Sequence, residues 1–184
     1  MRYSETHKDE THERIVKTAA KSFRKHGIKG IGVVPLMKQT GLTHGGFYTH
    51  FKSKDALIGE AIDAACEQTI ERLRRAADAA TDKTRRRAII DEYISEGHRD
   101  DPSVGCAVAA FGTETARLKP TVREHVDKNL ESMLTLLMDD GKQPVSRADA
   151  IRTFATAIGA ILLSRTVRSK DMSDEILAAA RKMP

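Results

Sequence analysis

Apolar residues recur along this chain at the three- and four-residue spacing of one helical face, and no stretch alternates strictly between apolar and polar positions as a half-buried strand does. A low aromatic content of 4%, without any Trp, argues in addition against a β-sandwich or barrel. At 184 residues, the chain can form one compact unit or a small module joined to a larger helical body. We therefore expect an all-α fold of about nine helices.

The first third of the chain predicts three short helices in close succession. Gly27 ends the first helix, Gly41 lies in a tight turn after the second, and Thr43 is a good N-cap for the third. The predicted ranges are 11–26, 33–40 and 44–51. One face of the first helix is apolar and the opposite face is basic, with Arg14, Lys17, Lys21, Arg24 and Lys25.

Six further helical segments follow, separated by Gly- and Pro-containing loops at 97–105, 119–120 and 139–145. Their predicted ranges are 54–80, 84–96, 106–118, 121–138, 146–168 and 173–182. Ser53 can cap the first of them, so we divide the chain into a domain at residues 1–53 and a second, helical domain at residues 54–184.

The positive charge is concentrated in the first domain. Residues 1–54 hold 11 Lys or Arg against 4 Asp or Glu, a net charge of +7, whereas the remaining 130 residues hold 20 against 22, a net charge of −2. Such a local excess attracts polyanions, and nucleic acid or an anionic membrane are the usual partners. Charge alone does not separate these partners from an ordinary basic surface.

We expect a cytoplasmic protein without a membrane partner. The longest uncharged apolar stretch is far shorter than the roughly 18 to 20 residues that span a bilayer, and the charged N-terminal residues do not form a signal peptide. Cys66 and Cys106, the only two cysteines, lack metal-ligand spacing, and their number fits a reducing compartment. The seven His residues show no metal spacing either, so we expect no metal and no cofactor.

A helix, a tight turn and a second helix form the arrangement that presents a helix to the DNA major groove. At about 100° per residue, Phe47 and Phe51 share the buried side of the third helix. The outward face is then small and polar, with Gly45, Gly46, Tyr48 and Thr49. Such a face lets the backbone approach base edges closely, while Tyr48, His50 and Lys54 can reach phosphates and His44 lies beside the helix N-terminus.

The segment GLTHGGFYTHFKSKDAL, residues 41–57, resembles the signature of the TetR family of transcriptional repressors, and the resemblance extends over roughly residues 11–60. It implies a three-helix DNA-binding domain followed by a ligand-binding and dimerising helical domain. The DNA-contacting positions that it implies are Thr43, His44, Gly45, Gly46, Tyr48, Thr49, His50 and Lys54. Gly32, where a capping Ser or Thr is usual, and Met37, where a small residue is usual, depart from the pattern.

A single helix-turn-helix binds DNA weakly, and a symmetric dimer on a palindromic operator solves this by placing two reading helices one duplex turn apart. The last two helices carry more apolar residues than one small subunit needs, so we expect them to pair with their symmetry mates as a four-helix bundle. The expected interface residues are Ile151, Phe154, Ala155, Ile158, Ile161, Leu162, Ile176 and Leu177. The alternative is that these residues form only intrachain core.

Helices between residues 54 and 138 can enclose an apolar pocket for a small-molecule inducer. The expected lining residues are Ile62, Cys66, Tyr93, Cys106, Phe111, Met133 and Leu137. Each of them alone can equally be plain core. Cys106 follows Gly105 at a predicted helix N-terminus, where thiol reactivity tends to rise, so an oxidant or electrophile is a second hypothesis for the signal beside an inert buried thiol.

Function therefore has three interpretations. The first is a homodimeric, ligand-released DNA-binding repressor, which is not an enzyme. The second is an all-helical enzyme with an incidental basic N-terminus, but the chain has no phosphate-binding glycine loop, no nucleophile elbow and no HExxH motif. The third is a basic helical module that binds a protein partner or a membrane surface.

Overall fold

The computed structural model describes residues 5–140 and 144–183, and the described part contains ten α-helices, one 3₁₀ turn at Pro102–Val104 and no strand. The all-α prediction is confirmed. The helices are α1 (Glu5–His26), α2 (Val33–Gln39), α3 (His44–Phe47), α4 (Lys54–Asp78), α5 (Arg85–Tyr93), α6 (Glu96–Asp100), α7 (Ala107–Thr115), α8 (Pro120–Met138), α9 (Arg147–Thr166) and α10 (Lys170–Arg181). None of the helices within these ranges combines the length and apolar character needed to cross a bilayer.

Side-chain caps account for several differences from the predicted boundaries. The predicted loop at 97–105 contains most of α6 and the whole 3₁₀ turn, because Ser95 accepts a hydrogen bond from the His98 amide and Asp101 accepts one from the Ser103 amide. The last helix begins at Lys170 rather than Ser173, since the Ser169 hydroxyl accepts from the amide of Met172. The loop around Gly141 and Pro144 lies partly outside the described residues.

The three N-terminal helices, which we call the head, pack around one apolar cluster. Ile15, Phe23, Leu36 and Phe47 are at most 1% exposed within it. The same cluster continues into the first half of α4, where Leu57 is fully buried, and reaches α7 and α8. The head is therefore fixed to the rest of the chain by shared core as well as by the connection into α4.

A second apolar cluster lies in the remaining helices, which we call the body (α4 to α10). It joins the C-terminal half of α4 to α5, α7, α8, α9 and α10. Helix α4, with 25 residues and a length of about 37 Å, contributes to both clusters. Any repacking in the body that moves α4 must therefore also reach the head.

Arg24 is buried, although the sequence predicted an exposed position for it. We expected it on the basic outward face of α1, but it is 2% exposed. Its guanidinium donates to the carbonyl oxygens of Ala20 and Gly105 and to Oε1 of Gln68, at 2.8–2.9 Å. The prediction was wrong because the segment before α7 covers this face of α1, and burial lowers the pKa of Arg24.

His98 is buried beside Tyr93 with both ring nitrogens hydrogen-bonded. Nδ1 lies 2.7 Å from the carbonyl oxygen of Tyr93, and Nε2 lies 2.9 Å from the backbone nitrogen of Cys106. Because the carbonyl can only accept and the amide can only donate, the ring is neutral with its proton on Nδ1. Burial lowers the pKa of His98 to about 4, the largest cause being loss of solvation.

This arrangement predicts a loss of stability in acid. The folded pKa of His98 is about 4 and the unfolded one 6.5, so the unfolded state takes up a proton first as the pH falls. Stability present above pH 6.5 is then lost towards pH 4, by about 3 kcal/mol from this residue alone. Urea unfolding across this range should show the full loss in the wild-type protein and in His26→Gln, a control at an exposed histidine, and a loss smaller by about 3 kcal/mol in His98→Gln. Equal pH dependence in all three proteins would contradict the assignment.

Candidate nucleic-acid interface

The turn between α2 and α3 has the geometry of a helix-turn-helix. Gly41 has a φ of 74°, in the left-handed region that L side chains rarely adopt. The Leu42 amide donates to the Met37 carbonyl oxygen at 3.0 Å, and the Gly41 amide donates to that of Lys38 at 3.1 Å. These two bonds form a Schellman motif, which ends α2 and sets the direction in which the chain enters α3.

Helix α3 is shorter than predicted. Thr43 caps it as expected, its Oγ1 accepting from the Gly46 amide at 3.4 Å, but the helix ends at Phe47 rather than near Phe51. The Thr49 hydroxyl donates to the Gly46 carbonyl oxygen, and the amides of Thr49 and His50 bond to carbonyl oxygens three residues back, as in a tighter turn. Two glycines in four residues and this competing hydroxyl both disfavour a longer helix.

Two stacked rings fix the orientation of α3. Phe47 and Phe51 are 1% and 3% exposed, and their ring centroids lie 5.4 Å apart. The His12 ring of α1 stacks on Phe51 with a centroid distance of 4.4 Å. The prediction that both phenylalanines belong to the core is confirmed, so the opposite face of α3 is directed to solvent.

The solvent face of α3 carries most of the predicted DNA-contacting residues. Tyr48 is 63% exposed, and its ring lies edge-on to both His44 and Phe47. A Cβ added at Gly45 would meet no atom within 4 Å. The exposed residues of this face are Thr43, His44, Gly45, Tyr48 and Thr49, and Gly46 is half-buried.

His50 and Lys54 are placed differently from the other predicted contacts. His50 Nδ1 is buried without a hydrogen-bond partner among the described residues, and burial, followed by the charges of His12 and Lys8, lowers the pKa of His50. The Lys54 ammonium donates to the carbonyl oxygens of Ile28 and Ile31 at 2.9 Å. Either side chain would have to leave its present position in the head to contact a phosphate, and both contacts stay predictions.

The N-terminal part of α1 flanks the exposed helix, which our sequence reasoning missed. His7, Lys8 and Thr11 form one side of a concavity of about 430 Å³, and the other side comes from α3 and the turns around it. Lys8 is exposed at its rim. The net charge of the N-terminal third was the available signal, but it does not specify which residues of α1 approach α3.

The exposed apolar surface of the last two helices is smaller than predicted. Phe154, Ile161 and Leu177 are 4%, 0% and 1% exposed and pack in the body cluster, so their assignment to a partner-facing surface was wrong. Both sides of α9 are apolar, and the side bearing these residues meets the protein's own core. The other predicted positions are exposed or half-exposed: Ile151, Ala155, Ile158, Leu162 and Ile176. Leu163 and Met172, both more than half exposed, extend this surface.

The predicted pocket residues are all buried, but they do not line one cavity. Ile62, Cys66 and Phe111 belong to the head cluster, while Tyr93, Cys106, Met133 and Leu137 belong to the body cluster. The first three border a void of only about 10 Å³ between α4, α7 and α8, which has room for about one water. The prediction of a shared preformed pocket was wrong for this packing, because the side chains of α4, α7 and α8 fill the space.

The two cysteines are buried. Cys106 precedes α7 as expected, but it is 2% exposed, and Cys66 is 6% exposed with a pKa that burial raises. Limited access and, for Cys66, a disfavoured thiolate both count against reaction with an external oxidant or electrophile in this conformation. Within the described ranges, no group of three or more His, Cys, Asp or Glu side chains is arranged to hold a metal ion.

Residues 15–61 match the model of the family described as bacterial regulatory proteins, tetR family. The regulator YerO of Bacillus subtilis (strain 168) is 38% identical over 55 residues, which are 30% of this chain and 19% of that protein. The transcriptional repressor NemR of Escherichia coli (strain K12) is 22% identical over 95% of this chain and 94% of that protein.

Solved structures extend the similarity in fold to nearly the whole chain. A TetR-family regulator from Cytophaga hutchinsonii has a TM-score of 0.79 at 22% identity, covering 98% of this chain and 95% of that one. AibR, solved in complex with isovaleryl coenzyme A and operator DNA, has a TM-score of 0.64 at 17% identity, covering 93% of this chain and 96% of that one. Residues 15–61 thus match the tetR family model across the helix-turn-helix, and the fold of the whole chain is similar to that of TetR-family transcriptional regulators.

Proposed function

We propose that this protein is a sequence-specific DNA-binding repressor that acts as a homodimer on a palindromic operator and is released by a small-molecule inducer. The exposed face of α3 is the observation that carries the proposal. Buried Phe47 and Phe51 direct a small, polar face outward, in a region of the chain with a net charge of +7. Phosphates are attracted by the charge, and base edges are reached by the exposed face.

Gly45 supports this interpretation because the fold does not need a glycine at this position. Its φ is not positive, and a Cβ would meet nothing within 4 Å. An alanine would favour the helix by about 0.5–1 kcal/mol, so the glycine weakens α3 without serving its packing. A close approach of the α3 backbone to a partner explains it, and the floor of a major groove provides such a partner.

Gly45→Ala should therefore separate folding from DNA binding. We expect the free energy of unfolding to rise by about 0.5 kcal/mol and operator affinity to fall about tenfold, because the added methyl group holds the backbone away from the bases. Thermal unfolding and fluorescence anisotropy with a selected duplex measure the two effects. Gly97→Ala in α6 is the matched control, since its Cβ also enters nearly open space far along the chain from α3. Unchanged operator affinity in Gly45→Ala would contradict the groove contact.

The exposed side of α9 supports a dimer. Ile151 and Leu162 are 47% and 45% exposed, and their spacing of eleven residues places them on one stripe of the helix with Ala155 and Ile158. An apolar stripe of this length is typical of a surface that a partner covers. Pairing with a second copy would place two heads on one duplex, which a palindromic operator requires.

Replacing Leu162 with Glu should dissociate this dimer. Each dimer would then bury two carboxylates against the apolar stripe of the partner, and each of them would lose its hydration. We expect sedimentation at micromolar concentration to give twice the 20.3 kDa chain mass for the wild-type protein and a single chain mass for Leu162→Glu. Leu130→Glu, at a leucine of α8 that is 38% exposed, is the control and should remain dimeric. A monomeric wild-type protein, or a dimeric Leu162→Glu, would refute this interface.

Release by an inducer is supported by the way in which the body is packed. The residues between α4, α7 and α8 leave room for about one water, so a bound inducer must displace helices that also pack against the head. Such a ligand would bind the displaced state better than the packed one, which is the requirement for coupling. AibR, solved in complex with isovaleryl coenzyme A and operator DNA, shows that a protein of this fold can hold both.

The proposal as a whole is tested by selection of duplexes from a random pool with the full-length protein. We expect one palindromic sequence to be enriched, and its affinity to fall steeply with salt as phosphate contacts release counterions. Competition with random duplex at about 0.15 M salt measures the preference. Enrichment of no sequence, or equal binding of random duplex, would reject sequence-specific repression and favour an unspecific basic surface.

A further inference from the structure

The loop between α1 and α2, residues 27–32, is held by two side chains of opposite charge from the body. The Glu114 carboxylate of α7 accepts hydrogen bonds from the Ile28 amide at 3.2 Å and from the Lys29 amide at 3.1 Å, one on each oxygen. The Lys54 ammonium, at the start of α4, donates to the carbonyl oxygens of Ile28 and Ile31. Both polar groups of Ile28 are therefore bonded to the body, immediately before the helix-turn-helix begins.

Gly27 adapts the loop to this carboxylate. It has a φ of 77°, and a Cβ added there would lie 2.6 Å from Oε1 of Glu114. Any other residue at position 27 would require both an unfavourable backbone conformation and displacement of the carboxylate. The absence of a side chain at Gly27 thus leaves room for the Glu114 carboxylate, at the point where α1 ends and the loop begins.

The segment that carries Glu114 is bonded to the head at its other end as well. Arg24 of α1 donates to the Gly105 carbonyl oxygen at 2.9 Å, two residues before α7 begins. Thr69 of α4 also donates to that oxygen, at 3.3 Å. Residues 105–114 therefore form a bridge with one end on α1 and the other on the loop after it.

This bridge has a kink between its two ends. Phe111 has a φ of −144° and a ψ of 21°, which interrupt the helical path of α7. Its side chain is 3% exposed and borders the small void that Ile62 and Cys66 also border. A change of packing at this void would alter the angle of the kink and so the position of Glu114 relative to Gly105.

We propose that Glu114 is a positioning residue for DNA binding, which holds the α1–α2 loop, and with it the helix-turn-helix, in the DNA-binding orientation. Repacking around Phe111 reaches the head by withdrawing this carboxylate. The inference rests on the proposed function, because operator binding is the activity that Glu114 would support. Under that function, the packed body, with its void of about 10 Å³, is the arrangement that binds DNA.

The carboxylate is suited to this role because it offers an acceptor oxygen to each of two amides. A Gln side chain has the same shape, but it has one acceptor oxygen and turns an NH₂ group towards the second amide. Glu114→Gln therefore loses one of the two hydrogen bonds and sets an NH₂ group against the second amide, with little change in volume. Glu124→Gln, at an exposed position of α8, makes the same change of charge in the body and is the matched control.

The first measurement is operator affinity, by fluorescence anisotropy with the duplex that the wild-type protein selects. Glu114→Gln should bind about tenfold more weakly, because the binding-competent orientation is less populated, and Glu124→Gln should stay within about twofold of the wild-type affinity. Wild-type affinity in Glu114→Gln would overturn the proposal. So would a loss of affinity matched by an equal loss in Glu124→Gln.

The second measurement reports the orientation of the head without DNA. Nitroxide labels on Lys52→Cys, in the segment after α3, and Lys128→Cys, in α8, give a distance distribution between head and body. Cys66 and Cys106 are 6% and 2% exposed and are protected from surface labelling. Glu114→Gln should broaden or shift the distribution, and Glu124→Gln should not. An unchanged distribution in Glu114→Gln would mean that Glu114 only stabilises the fold, and it would overturn the proposal.

Gly27→Ala provides an independent variant at the other side of the same contact. Its Cβ should expel the carboxylate and reproduce the weaker binding and the altered label distances. If Glu114→Gln does not fold, Gly27→Ala decides between the outcomes in the same two measurements. A wild-type protein that selects no duplex would reject the proposed function, whereas the label distances would still decide whether Glu114 holds the head.

Discussion

The burial of Phe47 and Phe51 is the constraint on which the rest of the structure depends. A helix of four residues with two glycines has little intrinsic stability, so its orientation comes from the two rings packed against α1 rather than from its own hydrogen bonds. Their burial leaves Gly45 and Tyr48 on the solvent side. The same interaction therefore stabilises the head and exposes the face that we propose to enter the major groove.

The head is coupled to the body through more than the long helix that joins them. Helix α4 contributes to both apolar clusters, and the loop before the helix-turn-helix is bonded on one side by Lys54 and on the other by Glu114. Because α4 and α7 both hold this loop, their relative movement is transmitted to it directly. On the proposed function, such a connection would couple a ligand bound in the body to DNA bound by the head.

The sequence predicts local features well, and contacts between distant segments poorly. Periodicity identified Phe47 and Phe51 as core, and Gly41 with Thr43 marked the turn, because these features depend on neighbouring residues. Arg24 was misplaced because its acceptor, the Gly105 carbonyl, lies 81 residues away. Helix α9 is apolar on two sides, so its periodicity does not distinguish Phe154, which faces the body core, from Ile151, which faces solvent. The hydrogen bond between Glu114 and Ile28, which are 86 residues apart, has no signal in a single sequence.

Amide hydrogen exchange of the full-length protein, with and without saturating operator duplex, tests the central claim most directly. If α3 docks in the major groove, the amides of residues 43–50 gain protection, while those on the buried side of α9 exchange as before. Thr43, His44, Gly45, Tyr48 and Thr49 are exposed in the free protein, so the change in their exchange is measurable. Protection by DNA elsewhere on the chain, with residues 43–50 exchanging at their free rate, would contradict the claim that α3 reads the duplex.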